Sequence, residues 1–171
     1  MASLLVELVS LLTAETDPRA QFLRMQTRRY LAAYARSNFE TAAVYGRRIA
    51  EVFAYYSLPE GHPKREDGLC EMVWAIDFWY MHADRFVFGH EDLESIAEDL
   101  GMRLTTWSIY DDLTQIRRYG NTGAHVDDAQ MAGYPLEADA EAFTATIRII
   151  VASVALFRMT TVTVSSLRSK L

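Results

Sequence analysis

Near the end of the chain Phe143, Ile147, Ile150, Val154, Phe157, Thr161 and Val164, apolar but for Thr161, recur in alternating steps of four and three. Steps of that kind fall on one stripe of a helix, which turns every 3.6 residues. A strand, whose side chains alternate between faces, would scatter them. The stripe reads as the core face of a bundle helix, with a heptad seam against a second copy of the chain as the alternative.

The same period recurs upstream. Leu4, Leu5, Leu8, Leu11 and Leu12 mark a first helix, and Thr16-Asp17-Pro18 stops it and starts a second, with Asp17 as N-cap and Pro18 at the first helical position. That helix runs to about Arg36. Ser37-Asn38 then precede a third, whose inner face is Phe39, Ala42, Ala43, Ile49, Ala50, Phe53 and Tyr56, with Arg47 and Glu51 four apart on its other side. Pro59, Gly61 and Pro63 form the clearest loop. Residues 66–83, dense in aromatic side chains, read as a buried helix, residues 86–88 as a short strand at most, and residues 90–100 as an acidic amphipathic helix. Leu104, Trp107, Tyr110, Leu113 and Ile116 continue at helical spacing. Gly133-Tyr134-Pro135 break the chain, and Glu137, Asp139 and Glu141 suit the positive end of the last helix. The expected fold is all-α, a single domain over residues 1–171 built as a bundle of about five to seven helices.

Composition narrows the function. Half of the 171 residues are apolar and 23% are charged, as in a folded globular chain. The single cysteine, Cys70, permits no internal disulfide and no thiol-based zinc site, and no histidine pair has metal-binding helical spacing, so neither metal nor cofactor is expected. The start lacks the basic region of a secretory signal, and the most apolar run, between Arg148 and Arg158, is too short to cross a bilayer. A cytoplasmic protein is expected. The net charge of −6 argues against non-specific coating of nucleic acid, yet residues 1–48 carry +3 and the rest −9, which leaves room for local anion binding.

Chemistry gathers in Arg117-Arg118-Tyr119-Gly120-Asn121-Thr122-Gly123-Ala124-His125. If one helix continues through it, Arg117, Asn121 and His125 share a face at i, i+4 and i+8, with Arg118 beside them. Gly120 and Gly123 each cost a helix interior about 1 kcal/mol relative to Ala, so a close approach by a backbone or a ligand must favour them. Alternatively the helix ends at Gly120 or Asn121, with Asn121 in a left-handed cap. Histidine exchanges a proton near neutral pH and arginine neutralises phosphate, a pairing suited to phosphodiester chemistry, in which Asn121 would orient the imidazole or the phosphate.

The segment resembles the signature of the HEPN superfamily of helical, nucleic-acid-associated domains, an Arg followed after four to six residues by His; Arg118 and His125 have six residues between them. It is more similar to a branch seen, for example, in type I restriction subunits, with the pattern Arg-x-x-Gly-Asn-x-x-Ala-His, in which the arginine is Arg117. That branch carries an earlier Ala-Arg-x-x-x-Glu helix, and Gly46-Arg47-Arg48-Ile49-Ala50-Glu51 is similar. The resemblance covers roughly residues 37–58 and 104–160. It implies a homodimeric bundle and a metal-independent endoribonuclease, a toxin or phage-defence protein with an antitoxin or defence-system partner. In it His125 is the acid/base group, Arg117 or Arg118 stabilises the phosphorus centre, and Asn121 orients them. Nucleases of the superfamily place Arg directly before the polar residue, where this chain has Gly120, so a non-catalytic module for dimerisation or binding is the alternative.

Elsewhere, Arg24, Arg28 and Arg29 with the interleaved Tyr30 and Tyr34 form a weaker RNA-guiding surface, or a solvated basic face. Asp111-Asp112 reads as solvated surface, and Trp74, Trp79 and Tyr80 as core.

Overall fold

A computed structural model describes residues 18–58, 61–73, 75, 106–124 and 137–157. These hold four long helices and no strand: α1 (Pro18–Ala35), α2 (Phe39–Ser57), α3 (Thr106–Ala124) and α4 (Ala140–Phe157), with a 3₁₀ turn at Pro63–Glu66 and helical residues at 69–73. The all-α architecture expected from the periodicity is what forms. The expected first helix at 4–12, the Asp17 cap, the readings over 76–100, the break at 133–135, Trp74 and His125 lie outside the described residues.

Local chemistry sets the joints. α1 starts on Pro18, whose fixed φ suits a first turn. It ends where Ser37 adopts a left-handed φ of 55°, with Ser37 N–H donating to Tyr34 O at 3.0 Å and Asn38 N–H to Ala33 O at 3.0 Å. Those two bonds satisfy carbonyls that the last turn would leave open. Asn38 also caps α2 by accepting from Thr41 N–H at 3.2 Å, so a three-residue joint folds α2 back onto α1. α2 stops at Leu58, which is extended (ψ 142°), as expected of the residue before Pro59. Asp139 caps α4, its carboxylate accepting from Ala142 N–H at 2.9 Å.

α2 is the axis of the bundle and touches α1, α3 and α4. Its buried face, Ala42, Ala43, Gly46, Ile49, Ala50, Phe53, Ala54 and Ser57, is rich in small residues, and this lets three helices approach one. At Gly46 a β-carbon would stand 3.3 Å from Thr146 Oγ1 and 3.4 Å from Tyr30 Cε2. Phe53, Leu23, Leu113, Ile149 and Ile150 are fully buried, each contributing about 1.5–3 kcal/mol. Tyr34 joins α1 to its neighbours, its ring 4.3 Å from that of Phe143 and 5.4 Å from that of Phe39.

α4 departs from the narrow stripe. Residues 145–147 and 149–153 are all buried, leaving only Arg148 half-exposed in that stretch. Ile147 and Ile150 therefore belong to the chain's own core, not to an exposed seam. Arg148 grips Asp112 of α3 with two hydrogen bonds, Nε to Oδ2 at 2.7 Å and Nη2 to Oδ1. Asp112, expected on the surface, is 2% exposed, while Asp111 faces out. Burial raises the Asp112 carboxyl above its usual range, against the opposing pull of Arg148. No helix among the described residues is long and apolar enough to cross a membrane.

Candidate functional site

α3 runs without interruption through Gly120 to Ala124, so Asn121 sits inside a helix and not in a left-handed cap. Gly120 is tolerated there because of what lies over it. A β-carbon at 120 would stand 2.8 Å from Arg47 Cβ and 3.3 Å from both Arg47 Cδ and the Ala43 carbonyl oxygen. Gly120 is the seat on which the stem of an arginine from α2 lies against α3.

Having crossed Gly120, Arg47 donates from Nη1 to Asn121 Oδ1 at 2.5 Å and from Nε to Glu51 Oε1 at 3.1 Å. The side chains of Arg47 and Glu51 are 26% and 37% exposed, so the network opens at the surface of the α2–α3 junction. No family model, curated protein or solved structure matches this chain. The site must therefore be read from its own geometry. Glu51 holds the guanidinium from one side and Asn121 receives it on the other, so Arg47 links by hydrogen bonds the two segments that carry the resemblance, which are far apart in sequence.

The arginines of the motif itself diverge. Arg117 turns to the helical segment 69–73, its Nη1 donating to Cys70 Sγ at 3.0 Å while its Nε is buried without a hydrogen-bond partner. Arg118 is exposed. Arg117 and Asn121, four apart on one continuous helix, bond to different neighbours, Cys70 and Arg47, and His125 lies outside the described residues. Arg47 and Glu51 are the members that sequence reasoning leaves out of the site. The signal is present in the Arg47-x-x-x-Glu51 spacing, which by itself marks only a pair on the outer side of its helix.

The accessory surface is also redrawn. Tyr30 is 2% exposed, so it cannot stack on a base. Burial raises that phenol far above its ordinary value. Arg24 is half-buried, whereas Arg28 and Arg29 are exposed. The aromatic ring that accompanies the arginines is Tyr45: the guanidinium carbons of Arg29 from α1 and Arg48 from α2 each lie 5.9 Å from its centroid. No group of three or more His, Cys, Asp or Glu placed to hold a metal occurs among the described residues. His62 instead caps the 3₁₀ turn, its Nδ1 accepting from Lys64 N–H at 3.1 Å.

Proposed function

We propose that the chain is a HEPN-like, metal-independent endoribonuclease of the toxin or phage-defence kind. The observation that carries this reading is the 2.5 Å hydrogen bond from Arg47 to Asn121, which joins the two segments resembling the same branch of that superfamily. In the proposed reaction a ribose 2′-hydroxyl attacks the adjacent phosphorus and the bond to the 5′-oxygen breaks. The products are a 2′,3′-cyclic phosphate and a 5′-hydroxyl. His125 exchanges the protons, taking one from the attacking hydroxyl and returning one to the leaving oxygen, and a motif arginine stabilises the charge that builds on the phosphoryl oxygens. Of the two candidates, Arg117 is engaged with Cys70 and Arg118 is exposed on the same stretch of α3 as Asn121. Arg29 and Arg48 around Tyr45 supply the basic surface that guides RNA.

A second reading has its own support. The seat that Gly120 provides is filled by the stem of Arg47, and Arg117 is turned to Cys70, an arrangement equally suited to a non-catalytic module that dimerises or binds a partner. Incubating wild type and His125→Ala with total RNA in EDTA, followed by end-group analysis, separates the two. Cyclic-phosphate ends from wild type alone support the nuclease; no cleavage by either protein sinks it. A monomer in light scattering at micromolar concentration counts against the homodimer.

A further inference from the structure

Asn121 can meet a ligand with its carbonyl oxygen or with its amide nitrogen, and Arg47 decides which. A guanidinium carries only donors, so the 2.5 Å contact from Arg47 Nη1 is made to the oxygen and the amide nitrogen is turned the other way. Rotating the amide would set two donors against each other. Arg47 is itself fixed, by Glu51 on its Nε and by its stem against Gly120, so it does not follow Asn121 to a new position. Nδ2 of Asn121 makes no hydrogen bond among the described residues. Glu51 also balances the charge of Arg47, so what Arg47 contributes at this point is orientation and not net positive charge.

We infer that Asn121 is a fixed hydrogen-bond donor for a non-bridging phosphate oxygen of an RNA backbone, and that Arg47 is the positioning residue that fixes it. The identity of the phosphodiester rests on the ribonuclease reading, while the donor polarity rests on the Arg47 contact alone.

The test uses Asn121→Asp, which is nearly the same shape but turns the two requirements against each other. A carboxylate pairs with Arg47 at least as well as the amide oxygen does, so the fold is kept, yet it offers phosphate a negative charge in place of a donor. The probe is a fluorescein-labelled 2′-O-methyl oligouridine, which has the backbone but no attacking hydroxyl, followed by anisotropy in EDTA. The expected result is a thermal midpoint no lower than wild type with affinity weaker by about tenfold or more. Arg47→Met frees the amide to turn and weakens binding less, with Arg47→Lys restoring part of the loss. Independently of any variant's folding, the side-chain amide resonances of Asn121 in the wild-type protein shift when the probe binds.

The inference is overturned if Asn121→Asp binds the probe within about twofold of wild type, or if the Asn121 amide resonances stay put at saturation. Cleavage of total RNA by both wild type and Asn121→Asp, with equal binding, overturns the inference and leaves the ribonuclease reading standing. Probe binding with shifted Asn121 resonances but no cleavage does the reverse. A wild-type protein that neither binds the probe nor cleaves RNA overturns both.

Discussion

Replacing Gly120 by alanine sets two effects of opposite sign against each other. On helix propensity alone the change stabilises by about 1 kcal/mol, because glycine is the poorer residue in a helix interior. The added β-carbon would, however, stand 2.8 Å from Arg47 Cβ and 3.3 Å from the Ala43 carbonyl oxygen. Neither is the tip of a flexible side chain; both are fixed to the backbone of α2, so relief requires the two helices to separate. Overpacking of this kind costs about 1–3 kcal/mol, and contact with backbone-fixed atoms puts Gly120→Ala towards the upper end, for a net loss of about 1–2 kcal/mol. For a chain of this size that is a fall of about 2–8 °C in thermal midpoint. Circular dichroism at 222 nm through a thermal ramp, with a urea midpoint as a second measure, reads it directly. A rise of about 2–4 °C, the result of propensity acting alone, would refute the close-packing argument and with it the explanation of why glycine stands at that position.

Three other outcomes follow from the same geometry. Ser37 holds a φ of 55°, and Ser37→Gly removes that strain at some cost in unfolded-chain entropy, so the urea midpoint should rise by the equivalent of about 0.5 kcal/mol with an unchanged slope. Asp112 has a folded-state pKa above its usual 3.8, so the native state takes up this proton at a pH where the unfolded chain does not. The stability of wild type relative to Asp112→Asn should therefore grow as pH falls from the raised value to 3.8 and level off below it; an advantage that shrinks on acidification would show that Arg148 outweighs burial. Arg29→Ala with Arg48→Ala should weaken RNA binding irrespective of base sequence and lower the slope of log affinity against log salt by about 1.4, at about 0.7 for each single-strand phosphate no longer neutralised; an unchanged slope would remove the Tyr45 surface from the binding face.

What could be read from the sequence is what local chemistry decides. The inner face of α2 was legible because Ala42, Ala43, Ile49, Ala50 and Phe53 repeat at the helical period, and the start of α4 because Asp139 needs nothing beyond its own first turn. The burial of Asp112 was not legible, because the reason is Arg148, on another helix. The stripe along α4 does mark core residues, Ile147 and Ile150, but only part of what is buried, for a related cause. Periodicity reports the most apolar face of a helix, but where α4 is enclosed even its small and polar residues, Ala145, Thr146 and Ser153, are buried, the last two returning their hydroxyls to the helix carbonyls of Ala142 and Ile149.

The candidate site shows the same limit more sharply. Gly120 reads as a departure, a missing arginine beside Asn121, because a motif is scanned along one chain direction. In space an arginine does stand beside Asn121; it comes from α2, and it can come because residue 120 has no side chain to stop it. Arginine at 120 and Arg47 in its present place exclude each other, since even one added carbon falls 2.8 Å from the Arg47 stem. What matters in this chain is therefore not whether an arginine is missing but what an arginine delivered from the neighbouring helix can do. Its bond to the oxygen of Asn121 commits it to orienting that amide, and the charge that a phosphoryl transfer requires must come from a residue other than Arg47. Among the described residues Arg118 is the motif arginine whose side chain is exposed on this part of α3. On the proposed ribonuclease reading, Arg118→Ala with the fold intact is the variant in which cleavage should fail, whereas Arg117→Ala, which releases Cys70, should disturb stability first.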